Sequence, residues 1–153
     1  SGVAQPDTIR IYNIHLQSLL IGGKDIFKYA EEKNDVLSKS KNILHLFKIV
    51  SILRSSQLDI VMGSINHSPY PVIVCGDLND MPYSYTYQTL NKTLNNAFEK
   101  TGYGFGFTYN NKFPILRIDN QFASRNFSIN SFKTHYEIDY SDHFPISASY
   151  TLK

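Results

Sequence analysis

The stretch VIVCGDLND, residues 72–80, constrains the fold of this chain more than any other. Val72, Ile73, Val74 and Cys75 form a short, β-branched apolar run behind Pro71, too short for a helix. Such a run suits a central parallel strand buried on both faces. Gly76 is expected to break that strand. Asp77, Asn79 and Asp80 would then stand at its carboxyl end, where open α/β sheets usually hold their ligands. An Asx-rich turn capping the next helix would use the same residues.

The flanking sequence supplies the rest of the unit. TIRIYNIHL alternates as a strand, with Tyr12, Ile14 and Leu16 on one face, and ends at His15 before Gly22 and Gly23. Ile43, Leu46, Phe47, Val50 and Leu53, then Leu58, Val61, Met62 and Ile65, recur at helical spacing, which predicts one or two crossover helices. A strand, a helical crossover and a second strand make a parallel, right-handed unit. Ser84 is placed to cap a short helix running to Leu90. FTYN, ILRIDNQFAS, FSINSFKTHYEI and PISASYTL then read as short strands, so the class is α/β with an antiparallel tail. The glycines at 102, 104 and 106 follow no strand that leads into a helix, and predict a turn, not a dinucleotide loop.

With 153 residues, no repeat and no linker, the chain reads as one domain over 1–153. The net charge of +2 is spread thinly, which disfavours a nucleic-acid partner. A single cysteine excludes an internal disulfide and a cysteine-based zinc cluster. No signal-peptide pattern and no apolar run of about 18 residues occurs, so these residues read as a soluble chain without a membrane segment. They indicate no location.

Residues that carry chemistry recur at strand ends: His15 in NIHL, Asp77 and Asn79 in GDLND, Asp119 in RIDNQFAS, and Asp142 with His143 in SDHFPI. Taken together they suit metal-assisted cleavage of a phosphate ester. A hard cation such as Mg²⁺ takes carboxylate oxygens, with waters and substrate filling its shell, and Asp142 fits that role. Asp77 with Asn79 can hold and deprotonate an attacking water. An imidazolium, His143 kept charged by Asp119, can donate to the phosphoryl oxygens as negative charge gathers there, with His15 opposite.

In this order the motifs NIHL, GDLND followed by MPYS, RIDNQFAS and SDHFPI resemble the later part of the endonuclease/exonuclease/phosphatase family. The resemblance implies part of a four-layer α/β sandwich, a mixed sheet with helices on one face. It also implies a phosphodiesterase or phosphomonoesterase that uses Mg²⁺ or Mn²⁺ and an activated water. By the same resemblance Asp77 activates or orients that water and Asn79 positions water and phosphate. His143 contacts phosphate, Asp119 pairs with it, His15 belongs to the N-x-H-L strand, and Asp142 is the metal carboxylate.

The family's opening asparagine strand and the Q-E strand bearing its principal metal glutamate do not precede residue 9, and Glu31 and Glu32 lie too late to be that glutamate. The chain therefore reads as an amino-terminally truncated domain, with metal binding weak or absent and activity lost when it is alone. A non-catalytic, family-like binding scaffold is the alternative. With one sheet face uncovered, a homodimer through that face is expected.

Overall fold

The computed structural model describes residues 8–21, 24–25, 36–110 and 116–153. The segments at Gly22 and Gly23, at Glu31 and Glu32 and at Ile115 lie outside the described residues. Among the described residues, eleven elements follow one another: β1 (Arg10–His15), β2 (Leu20–Ile21), β3 (Lys24–Asp25), α1 (Val36–Asn66), β4 (Val72–Asp77), α2 (Tyr85–Thr93), β5 (Asn95–Asn96), α3 (Ala97–Thr101), β6 (Asp119–Ala123), β7 (Phe127–Thr134) and β8 (Ile146–Leu152).

A four-stranded sheet runs in the order β1-β4-β6-β5; β1 and β4 are parallel, while β6 is antiparallel to both β4 and β5. The sheet is therefore mixed. Parallel neighbours require a long crossover. The crossover includes one helix of 31 residues, α1, and the residues of this helix include no proline to divide it. Val50, Leu58, Met62 and Ile65 form its buried stripe, at intervals that keep one face on the sheet. Leu58, Met62 and Ile65 pack with α2, through Tyr87 and Leu90, over Val72, Val74 and Phe122. Burying each large side chain contributes roughly 1.5–3 kcal/mol. Ser84 caps α2 as expected, its Oγ accepting from Tyr87 N at 3.2 Å. No helix among the described residues is long and apolar enough to cross a membrane.

Three expectations need correction. Gly76 does not break β4, which continues to Asp77. Its φ of +141° is open to glycine, and a Cβ there would lie 1.8 Å from the carbonyl oxygen of Ile14 on β1. The glycine thus allows the two backbones to approach, and the strand carries Asp77 as its own last residue. FTYN contributes only an isolated bridge, Tyr109 opposite His143.

The third correction concerns the second face of the sheet. Ile146 belongs to a separate antiparallel ribbon, β7–β8, not to the main sheet. That ribbon covers part of the face opposite the helices: Tyr150 Oη donates to Gln121 Oε1 at 2.9 Å, and Gln121 Nε2 donates to the Ile146 carbonyl at 3.4 Å. Ile73 and Cys75 are half-buried in consequence, while Ile9 and Ile11 stay exposed.

Candidate active site

Strand register assembles the site. His15 on β1 pairs with Asp77 on β4, and Asp77 pairs with Asp119 on β6. Directly opposed residues present their side chains on the same face of a sheet. The carboxyl ends of two parallel strands and the start of an antiparallel third therefore place His15, Asp77 and Asp119 in one row. His15 Nε2 lies 3.6 Å from Asp77 Oδ2.

The row is completed by His143, whose Nδ1 and Asp119 Oδ2 are hydrogen-bonded at 2.7 Å. Tyr109 packs edge-on against the imidazole with ring centroids 5.2 Å apart. One ligand atom each from Asp77, Asp119 and His143 lie within 4.8 Å of one another, so this group could hold a metal ion. Asp142 stands apart from that group: it is exposed, and its Oδ1 accepts from Ser141 Oγ at 3.2 Å.

Asn79 adopts φ +50°, a left-handed conformation that asparagine tolerates better than most side chains. This bend folds the loop back on Asp77. Asn79 N donates to Asp77 Oδ1 at 2.6 Å, and Nδ2 donates to Asp77 Oδ2 at 3.0 Å and to the Leu16 carbonyl at 3.0 Å. The side-chain amide thus holds Asp77 and ties the loop after β4 to the end of β1.

Burial raises the Asp77 pKa, the Asn79 backbone hydrogen bond opposes it, Asp119 adds to the rise, and the two histidines lower it; the net shift is upward. An acid so placed is a better proton acceptor than an ordinary carboxylate. For His143, burial pushes the pKa down, but the hydrogen bond and charge of Asp119, with Asp77 and Asp142, outweigh it and the pKa is raised. Because the folded value exceeds the unfolded one, the resulting stabilisation is fully present below about pH 6.5 and is lost as pH rises through the folded pKa. Asp119→Asn should lower the His143 pKa, as NMR titration of the metal-free chain would read; an unchanged value would refute the pairing.

Thr108 was not evident from sequence. Fully buried, it accepts through Oγ1 from Ile118 N at 3.1 Å and Asp119 N at 3.0 Å, and its carbonyl accepts from Phe144 N at 2.7 Å. It links the start of β6 to the segment bearing His143. No periodicity in FGFTYN marks it. Of the other histidines, His135 is bonded to Glu137 and Ser147, and His67 to the Gly63 carbonyl.

A mixed sheet with acids and imidazoles converging at strand ends defines an α/β protein with a polar candidate site at the open end of its sheet. The chain belongs to the Endonuclease/Exonuclease/phosphatase family, whose model matches residues 42–143. Among solved structures, a member of this family from Bacteroides thetaiotaomicron is similar with a TM-score of 0.58 and 22% identity, over 67% of this chain and 46% of its own. A mannosyl-6-phosphatase from Bacteroides thetaiotaomicron VPI-5482 gives 0.53 at 23% identity, over 65% and 46%. The human Nocturnin catalytic domain, with a bound sulfate anion, gives 0.50 at 21%, over 67% and 41%. The chain thus spans less than half the length of each of these structures, and the likeness is one of fold. Comparison with curated proteins finds no match.

Proposed function

We propose that the protein containing this chain hydrolyses a phosphate ester with an activated water and a divalent cation. The observation that carries the reading is the row His15–Asp77–Asp119 with His143 locked to its end. A phosphatase and a catalytic domain with a bound sulfate anion, among the structures of the same fold, are consistent with a site for a tetrahedral anion.

Asp77 accepts a proton from the attacking water, helped by its raised pKa, and Asn79 keeps its carboxylate in place. The water oxygen bonds to phosphorus, the ester P–O bond breaks, the leaving oxygen takes up a proton from solvent, and Asp77 returns to solvent the proton that it accepted. His143, kept protonated by Asp119, donates to a non-bridging phosphoryl oxygen, with His15 facing it across Asp77. For Mg²⁺ or Mn²⁺, Asp77 and Asp119 offer the hard oxygen donors that such ions take, while His143 is committed to Asp119. Asp142, exposed one residue before His143, is the further carboxylate in our reading. A bound cation would supply Lewis-acid stabilisation of the charge that develops on the phosphoryl oxygens.

The test is a panel of phosphomonoesters and phosphodiesters, with and without Mg²⁺ or Mn²⁺, applied to this chain and to its longer parent. We expect metal-dependent hydrolysis by the parent and little turnover by the chain alone. No hydrolysis by the parent under any of these conditions would leave a binding scaffold as the better reading.

A further inference from the structure

Residues 15–17, which continue from β1, and residues 77–80, at the end of β4, both carry candidate site residues. They are joined directly, Leu16 N donating to the Asp77 carbonyl at 3.0 Å, and both also touch one side chain of α1. Arg54 Nε donates to the Gln17 carbonyl at 2.7 Å, and Arg54 Nη1 lies 3.5 Å from Asp80 Oδ1. One helical turn further on, Gln57 Oε1 accepts from Gln17 N at 2.9 Å, so α1 satisfies both backbone groups of Gln17. Across the gap, Asn79 Nδ2 reaches the Leu16 carbonyl. A closed loop of contacts results: α1 to Gln17, Leu16 to Asn79, and Asp80 back to α1.

The position of this cation is unusual. Arg54 is 4% exposed, on the same stripe of α1 as Val50 and Leu58, where an apolar residue would pack without desolvating a charge. Its Nη2 is buried and finds no partner among the described residues. A side chain there for packing alone would not need a fork. Two targets in different directions do, because the guanidinium offers fixed, separated donors and an ammonium offers one point charge.

We infer that Arg54 is a positioning residue: it braces Gln17 and Asp80, just beyond the paired strand ends, so that His15 and Asp77, already opposed by register, hold their side chains in place at the water and phosphate site. This rests on reading those two residues as the site. Misplacing reacting groups by about 1 Å can cost about 100-fold in rate.

The test compares the native protein with Arg54→Met, Arg54→Lys and Gln57→Leu. Amide hydrogen exchange is read at Gln17 and Asn79, with Val74 in β4 as the core control, and kcat and KM are measured on whichever phosphoester the native parent turns over. We expect Arg54→Met to keep Val74 protected while Gln17 and Asn79 exchange about tenfold faster or more. In the parent, kcat should fall about 10- to 100-fold with KM within about threefold. Arg54→Lys should restore thermal stability but not kcat. Unchanged exchange at Gln17 and Asn79 in folded Arg54→Met, or altered exchange with unchanged kcat, would overturn the inference. If Arg54→Met does not fold, Gln57→Leu decides: faster Gln17 exchange with reduced kcat supports the inference, and native behaviour in both overturns it. If the native parent turns over nothing, the hydrolase reading fails, while exchange alone still decides whether Arg54 holds the two segments.

Discussion

Replacing His143 by alanine is expected to lower phosphoester turnover by the parent protein by at least about 100-fold, and Asp77→Ala by about as much or more. His143 is the imidazole whose pKa Asp119 raises, so its loss removes the donor we assign to the phosphoryl oxygens and leaves Asp119 without its partner. Asp77 is the acid with the raised pKa at the centre of the row, and alanine there can accept no proton. The His143 side chain is 30% exposed and that of Asp77 14%, so neither truncation opens a core cavity. Thermal midpoints should stay near native, which separates this outcome from unfolding. The double variant should be little worse than the poorer single one, because groups that act as a unit lose their effect together. Steady-state kinetics beside a thermal melt would check it, and near-native kcat in either single variant would remove the assignment.

Gly76→Ala is expected to destabilise the chain by at least about 3 kcal/mol, a large share of the roughly 5–15 kcal/mol that holds a typical domain folded. Two causes act together. The backbone at φ +141° is one that residues with a Cβ rarely adopt, and the added Cβ would fall 1.8 Å from the Ile14 carbonyl oxygen. That contact is with backbone, so no side chain can swing aside; β1 and β4 must separate. Their separation would weaken the ladder that pairs His15 with Asp77, and lost folding should be accompanied by lost site geometry. Chemical denaturation of the variant would measure the cost. A stability within about 1 kcal/mol of native would show that the strands can part cheaply.

Elements with a period of their own were legible from residues alone. VIVC and RIYNIH carry strand patterns, the spacing from Ile43 to Ile65 is helical, and Ser84 offers a hydroxyl where α2 needs an acceptor. The candidate site residues were legible for a related reason: acids, amides and imidazoles at the ends of apolar runs stand where a sheet opens to solvent, and their order matches a family pattern. Local patterns could not show how those ends are brought together. The register of β1, β4 and β6 puts three site residues in one row, and register is a long-range property set by which side chains share the core. Gly76 looked like a strand terminator because its use depends on a carbonyl 62 residues earlier in the chain, at Ile14. Asp77, Asp119 and His143 come within 4.8 Å of one another although they are far apart in sequence, since backbone pairing and a hydrogen bond, not sequence neighbours, decide which groups converge. Thr108 and Arg54 have no periodic or compositional mark at all, and their roles exist only through partners 10 or more residues away. The sequence by itself determined which groups are available and that they lie at strand ends. Only the tertiary structure decided which of them meet, because a hydrogen bond needs its atoms within about 3 Å, and chain order does not encode that distance.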